Sequence, residues 1–429
     1  MMAEDTKAGE SEVILDVADN ADLLSTERIY TKQDRFIHGL DGLRFIAAVW
    51  LFWEHMGWGW TIPGWDYLVN MQYRGQIPLQ FFFLMGGMVL YSAYFKSKDF
   101  SKKKTKVDFW LGRLSRVGPN YYLTLFIEIP IVISDAYNRT VNNYWSGWSI
   151  AAIIYGIITT PFMLQGWTIP NQMAYASWYW GTLLWAMSPF AFYWFLFPWL
   201  VRFVERDRSM KLDYIYLAIF YILAVLPFFI LFLLASIPRW AGSDPILSCT
   251  DCVYWWMREF PPLRISSQLI GMFLAKIWIH APLKVKKSIV TGIIGDIAFI
   301  TLIACALFIP DNPDLGRADD YAALLDTVLT PLQCLTMFAL ACRKGCLSFL
   351  LSFRVFKYCG KMSFGIWSYQ SLSYYVFAYF AWDVYWWVSL IAFFVLIGFS
   401  IISLELYEEE TRKKFLKLSR YFPESWKTM

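Results

Sequence analysis

Histidine and charged residues are scarce in this chain of 429 residues. It has only 3 histidines, and 17% of its residues are charged, whereas soluble domains are usually about a quarter charged. This low charge argues against a water-soluble enzyme. The 7 cysteines form no zinc-like quartet and no pair of CxxC motifs, so no metal site is predicted. The net charge of +4 is too small and too dispersed to indicate a nucleic-acid-binding protein.

Long apolar runs recur along almost the whole sequence, in which 58% of the residues are apolar. A helix needs about 20 mostly apolar residues to cross a bilayer. The sequence therefore predicts an all-α integral membrane protein, a bundle of about ten transmembrane helices. The candidate spans are residues 41–60, 77–95, 118–134, 176–201, 213–236, 262–280, 288–309, 322–342, 362–381 and 386–406. An eleventh apolar stretch, at 149–165, is shorter and contains Pro161.

Basic residues decide whether 149–165 crosses, because Lys and Arg accumulate in cytosolic loops. If it does not cross, 26 basic residues of the loops and the C-terminal tail lie on one side and six on the other. We therefore interpret 149–165 as re-entrant or interfacial and place both termini in the cytosol. The predicted organisation is a disordered acidic tail at 1–35, a membrane domain at 36–408 and a basic tail at 409–429. The acidic tail and the sequon at Asn138 favour an endomembrane or the plasma membrane.

The first predicted span carries ionisable side chains, which are costly inside a membrane and therefore mark candidate functional sites. Arg44 and His55 are eleven residues apart, close to three helical turns, so both lie on one face, about 16 Å apart along the axis. Asp41 lies three residues before Arg44 and can pair with it. Glu54 faces about a quarter-turn away and is predicted to lie off this face. Glu128, in the middle of the third span, is a further candidate for binding substrate or lining a cavity.

Short motifs follow one another along the chain in an order that resembles a known family. Leu40-Asp41-Gly42-Leu43-Arg44, followed by His55, resembles the opening signature of the membrane acyltransferase type-three family, whose members move acyl groups onto sugars and other hydroxylated acceptors. Further segments resemble the family's later motifs, at 81–87, 109–116, 185–198, 264–272 and 363–370. Together these cover about residues 36–410. The family also has ten core spans, in agreement with the count made from loop charge.

The resemblance implies a membrane-embedded O-acyltransferase with His55 as the catalytic base and Arg44 as its partner. Neutral imidazole can take the proton of an acceptor hydroxyl near pH 7. The implied donor is cytosolic acyl-CoA, whose phosphates Arg113 and Arg116 would bind, and no cofactor is expected to stay bound. The implied partners are a hydroxylated sugar or lipid acceptor and the membrane lipids. The other predicted substrate-binding residues are Asp41, Glu128, Trp185, Arg264 and Ser363.

The chain departs from the family pattern at accessory polar positions. The stretch 176–204 lacks the family's glutamate, a second glutamate aligns with Ser267, and a late histidine aligns with Gln370. The serine of a turn in the second span aligns with Gly86, and Gly86-Gly87 can mark close helix packing as readily as a substrate-facing turn. These losses favour a divergent member with a more apolar acceptor.

Two alternatives to an active enzyme remain open. A transporter or flippase for a lipid or glycan carrier would depend on Glu128 or Asp296 rather than on His55, although no inverted repeat is evident in the sequence. A catalytically inactive family member would tolerate joint substitution of Arg44 and His55.

Overall fold

The computed structural model describes residues 37–56, 67–72, 74–95, 98–141, 147–168, 180, 183–240, 250–309, 324, 327–380 and 386–417. Throughout these residues the regular elements are helices, and no strand occurs among them. The predicted all-α fold is therefore confirmed. The predicted acidic tail at 1–35 lies outside the described residues. Of the predicted basic tail at 409–429, the described part is helical as far as Lys417.

The α-helices of the described residues are numbered in chain order. A 3₁₀ turn (Thr160–Phe162) follows α5, and a π-helical segment (Ser403–Glu408) joins α15 to α16. The helices are α1 (His38–Met56), α2 (Tyr67–Gln72), α3 (Gln76–Tyr94), α4 (Lys103–Val141), α5 (Gly147–Thr159), α6 (Met187–Val204), α7 (Met210–Trp240), α8 (Thr250–Glu259), α9 (Pro261–His280), α10 (Leu283–Lys287), α11 (Ile289–Phe308), α12 (Thr330–Ala341), α13 (Cys346–Leu351), α14 (Arg354–Phe380), α15 (Trp386–Ile402) and α16 (Glu409–Lys417).

Each of the ten predicted spans contains a helix, but not all of these helices could cross a membrane on length and composition alone. Within the described residues six stretches qualify: Asn70–Tyr94, Lys103–Ser134, Met187–Val204, Met210–Leu234, Ile289–Phe308 and Trp387–Lys414. The predicted spans on α1, α9, α12 and α14 do not. Helix α12 has only 12 residues, and the other three carry charged and polar side chains. The count of ten crossings is therefore not confirmed.

The polar residues of α9 are explained by its enclosed position. Most of its length is buried, and it packs against α3, α6 and α7. The hydroxyl of Ser267 and the side-chain amide of Gln80 lie within hydrogen-bonding distance (3.0–3.1 Å), and that amide also donates to Thr330. Polar groups inside a membrane protein face the bundle interior and pair with one another. Because an enclosed helix does not face lipid, it can carry polar side chains, and the mean hydropathy of α9 is accordingly low.

Helices α3 and α9 cross with their backbones in contact. A Cβ atom added to Gly87 would collide with the carbonyl oxygen of Gln268, and one added to Gly271 would collide with the carbonyl oxygen of Leu84. Small residues let two membrane helices approach this closely. Gly87 therefore serves helix packing, one of the two roles that the sequence allowed.

Helices α7, α11 and α15 turn large apolar side chains outward. An outer surface of this kind is unusual for a soluble monomer and is typical of helices that face lipid. The exposed side chains include Ile215, Ile222, Phe229, Ile293, Ile297, Ile300, Phe394 and Val395. The structure thus supports a membrane protein with the polar helices inside and the apolar helices outside.

The stretch 149–165 forms a short helix and a turn. Helix α5 has 13 residues, fewer than the roughly 20 that a crossing needs. The following 3₁₀ turn contains Pro161 and ends at Met163, whose backbone is left-handed with φ 58°. The hydroxyls of Tyr121 and Tyr122 on α4 donate to the carbonyl oxygens of Thr160 and Pro161 and hold the turn against α4. Helix α5 alone is too short to cross, in keeping with the predicted re-entrant or interfacial segment.

Candidate active site

Arg44 and His55 lie on one face of an unbroken helix. Helix α1 runs from His38 to Met56, so their eleven-residue separation corresponds to about 16 Å along its axis. The Arg44 side chain is 22% exposed and the His55 side chain 16% exposed. Helix α1 packs against α14 and α3. The fold thus holds the two ionisable groups mostly buried, at opposite ends of one helix face.

The backbone fixes which nitrogen of His55 carries the proton in the neutral ring. Nδ1 lies 2.7 Å from the carbonyl oxygen of Leu51, one turn earlier in α1. Because a carbonyl oxygen only accepts, Nδ1 must donate, and Nε2 keeps its lone pair. A general base needs this arrangement, with one nitrogen anchored and the other free.

The carboxylate of Glu54 lies beside the free nitrogen. Its Oε2 is 3.9 Å from Nε2 of His55, and the Glu54 side chain is only 19% exposed. Helical periodicity predicts that Glu54 lies off the face shared by Arg44 and His55, and this holds for the direction of its Cα–Cβ bond. The side chain is long enough to bend back to the imidazole, so the periodicity argument missed this neighbour. The one indication of this neighbour in the sequence is that an acidic residue directly precedes His55.

Trp185 and Arg264, both predicted from the motifs, are connected with this end of α1 through Arg258. The guanidinium carbon of Arg258 lies 4.7 Å from the ring centroid of Trp185. The Nε atom of Arg264 donates to the carbonyl oxygen of Arg258 at 2.7 Å. Arg258 is in turn an electrostatic neighbour of His55. No sequence motif marks Arg258, because α8 reaches the site only by tertiary packing.

Gln370 on α14 adds a neutral polar group to the surroundings of His55. Its side chain is fully buried and lies beside the imidazole. Its amide group makes no hydrogen bond of normal geometry in the described part of the chain, and its polar neighbour there is the imidazole of His55. The position that aligns with the family's late histidine therefore still carries a polar side chain next to His55.

The opposite end of α1 holds a cluster of arginines. Nη1 of Arg44 lies 2.8 Å from Oδ1 of Asp41, in the pair that the spacing predicted. Arg113 and Arg116 on α4 are electrostatic neighbours of Arg44, and Arg412 on α16 is one of Arg113. Neighbouring guanidinium groups suit the multiple oxygens of a phosphorylated ligand. Arg412 was not predicted from the motifs.

Glu128 and Ser363, two further predicted substrate-binding residues, have partners within the protein. Glu128 is fully buried in α4 and accepts a hydrogen bond from the hydroxyl of Ser371 on α14. The hydroxyl of Ser363 donates to the carbonyl oxygen of Gly360 at 2.8 Å, within its own helix. Their roles in binding substrate stay predictions.

The carboxylate of Asp296 caps a helix. It accepts hydrogen bonds from the backbone N–H groups of Cys346 (2.7 Å) and Leu347 (3.0 Å), in the first turn of α13. This local structural role lends no support to the transporter alternative, which would use Asp296 during translocation. Among the described residues, no group of three or more His, Cys, Asp or Glu side chains is placed to hold a metal ion.

Comparison with known proteins identifies the family. Residues 37–405 match a family model described as an acyltransferase domain, the acyltransferase-3 family. This chain belongs to that family. The resemblance predicted from the motifs, and with it the enzyme class of acyltransferase, is confirmed at the level of the family.

One curated relative is the "Putative peptidoglycan O-acetyltransferase YrhL" of Bacillus subtilis (strain 168), 22% identical over 356 residues. The aligned region covers 78% of this chain and 48% of the relative, so the chain spans about half the length of the relative that it matches. No solved structure matches this chain.

Proposed function

We propose that this member of the acyltransferase-3 family is a membrane-embedded O-acyltransferase that moves an acyl group from acyl-CoA to a hydroxyl group, with His55 as the general base. The observation that carries the proposal is the state of His55, whose Nδ1 is anchored to Leu51 while Nε2 keeps its lone pair and lies beside a carboxylate. Family membership supplies the reaction class.

The reaction that we propose begins with proton transfer from the acceptor hydroxyl to Nε2 of His55. The acceptor oxygen then attacks the thioester carbonyl carbon, and the tetrahedral intermediate collapses as the C–S bond breaks. The departing CoA thiolate takes the proton back from the imidazolium, which restores neutral His55. Arg258, a cation that interacts electrostatically with His55, would stabilise the oxyanion of the intermediate.

The separation of the two ends of α1 favours an elongated donor. Arg44, the member of the arginine cluster that lies on α1, is about three helical turns, roughly 16 Å, from His55, and Arg113, Arg116 and Arg412 neighbour it. Acyl-CoA has phosphates at one end and the thioester at the end of a long flexible arm, so it would bridge these two places. With the predicted orientation, the phosphates enter from the cytosol and the acceptor from the other side of an endomembrane or the plasma membrane.

The acceptor that we propose is a hydroxylated sugar or lipid. The name of the Bacillus relative points to an acetyl group as the acyl chain and to a glycan as the acceptor. The fully buried amide of Gln370 beside His55 provides a hydrogen-bonding group for such a hydroxyl. Polar groups at Glu54, Arg258 and Gln370 give the acceptor site more polarity than the motif comparison predicted.

The proposal is tested by label transfer in isolated membranes. Membranes from cells that express the full chain are incubated with [¹⁴C]acetyl-CoA, and label in esters that mild alkali releases is compared with that in membranes lacking the chain. We expect ester label only with the chain, and mass spectrometry of the labelled glycans and lipids then names the acceptor. Absence of chain-dependent ester label with acetyl-CoA, octanoyl-CoA and palmitoyl-CoA alike would contradict the proposal.

Removing two charges from the arginine cluster is expected to weaken donor binding. A hydrogen bond to a charged group contributes about 1.5–3 kcal/mol, so Arg113→Gln with Arg116→Gln should raise the KM for acetyl-CoA by about 100-fold and lower kcat little. The matched control is Lys413→Gln, at a lysine that is 69% exposed, and it should leave the KM unchanged. An unchanged KM in the double variant would show that the donor phosphates bind elsewhere.

A further inference from the structure

Gly75 provides the space in which the carboxylate of Glu54 lies. A Cβ atom at Gly75 would overlap the Glu54 carboxylate. The backbone of Gly75 is in the right-handed helical region (φ −64°, ψ −15°), which every residue type adopts, so conformation does not require glycine here. The absence of a side chain at this position therefore serves to hold the Glu54 carboxylate close to the ring of His55.

One oxygen of the Glu54 carboxylate is enclosed without a hydrogen bond. Oε2 of Glu54 is buried and has no hydrogen-bond partner among the described residues. Its distance of 3.9 Å from Nε2 of His55 is too long for a hydrogen bond but short for two opposite charges. The lone pair of Nε2 thus stays available to an acceptor, while any positive charge on the ring is opposed by a nearby negative charge.

We infer that Glu54 is a positioning residue that stabilises the imidazolium form of His55 during acyl transfer, and that Gly75 holds it there. The inference rests on the proposed function of His55. In the reaction, the acceptor proton moves to Nε2, the positive ring faces the Glu54 carboxylate, and the proton then leaves with the CoA thiolate. Glu54 exchanges no proton in this reaction.

The other charge that faces His55 makes this role necessary. Among the described residues, the charged neighbours of the ring are Glu54 from its own helix and Arg258 from α8, and Gln370 from α14 is neutral. The Arg258 cation opposes protonation of the ring, and the Glu54 anion offsets it. Loss of the Glu54 charge removes from the ring the anion that favours the imidazolium, while the Arg258 charge remains.

The test measures pH–rate profiles of ester formation from [¹⁴C]acetyl-CoA with the full chain in membranes. Glu54→Gln should lower kcat by about tenfold or more with an unchanged KM for acetyl-CoA, and it should move the acidic limb of the profile to lower pH. Gly75→Ala should displace the carboxylate and give the same two changes. Both variants remove the same interaction between Glu54 and His55. The double variant should therefore be no slower than the slower of the two single variants.

Matched controls separate this effect from damage to the fold. Gly398→Ala changes a helical glycine with no neighbouring atom within 4 Å of the added Cβ, and Glu409→Gln neutralises a glutamate that is 73% exposed. Both should leave rate and profile unchanged. If His55→Ala is inactive but Glu54→Gln keeps the wild-type kcat and acidic limb, the inference about Glu54 is wrong while the proposed function stands. If His55→Ala is fully active, the proposed function itself fails.

Discussion

Replacing His55 by alanine is expected to lower acyl transfer by about 10²- to 10⁴-fold, the range over which a positioned general base accelerates a reaction. The acceptor hydroxyl then has no group to take its proton when it attacks the thioester. The KM for acetyl-CoA should change little, because the arginine cluster that would bind the donor lies at the other end of α1. The measurement is single-variant kinetics of ester formation from [¹⁴C]acetyl-CoA in membranes with matched amounts of protein.

His280 provides a control that the chain itself supplies. His280 is the last residue of α9, and His55 is the last but one of α1. The Nδ1 atom of His280 lies 2.9 Å from the carbonyl oxygen of Lys276, four residues earlier. The local hydrogen bond is thus the same, but the His280 side chain is exposed. His280→Ala should keep full activity. A loss of rate that is equal in both variants would assign the effect to helix ends rather than to catalysis.

The helices could be predicted from the sequence because apolar runs mark them whether they face lipid or protein. Each of the ten predicted spans contains a helix, and α5 ends close to Pro161 as its composition indicated. Which helices face lipid could not be predicted in the same way. Helix α9 holds Ser267 and Lys276 inside the bundle, where Lys276 pairs with Asp213 at 3.0 Å, so its low hydropathy reflects enclosure. Enclosure is a property of the assembled bundle and is not encoded in one segment.

The residues of the candidate site fall into the same two groups, those that one helix positions and those that only tertiary packing brings together. Arg44, Asp41 and His55 were predictable because they lie on one helix, where spacing alone sets the relative directions of side chains. Arg258 and Gln370 come from α8 and α14, and only packing brings them to His55. Glu54 is on the same helix, but its position depends on the conformation of a long side chain and on the space at Gly75.

Polar groups that this chain lacks at the family's usual positions are found here at other positions. Ser267 aligns with a family glutamate and bonds to Gln80 within the core. The carboxylate near the active end of the molecule is instead Glu54, which comes from α1 itself. This redistribution favours a working enzyme with altered acceptor contacts over a catalytically inactive member, and the His55 variant distinguishes the two.

The crossing of α3 and α9 should be the most sensitive structural point in the described bundle. Gly87→Val is expected to destabilise the protein by about 3 kcal/mol or more, because the added atoms meet the backbone carbonyl of Gln268, which cannot rotate away as a side chain would. The same change would displace α9, which carries Arg264. We expect a large fall in the yield of monodisperse protein in detergent and in its Tm, with ester formation lost as a consequence.

Gly398→Val on α15 is the matched control for this steric effect. No atom lies within 4 Å of a Cβ at Gly398, so the added side chain meets open space, and valine is a better helix former than glycine. Its Tm should equal or exceed that of the natural chain. Equal losses of Tm in the two variants would show that glycine flexibility matters more than close packing. A wild-type Tm for Gly87→Val would mean that α3 and α9 do not cross at this point, and the packing that places Ser267 of α9 against Gln80 of α3 would have to be revised.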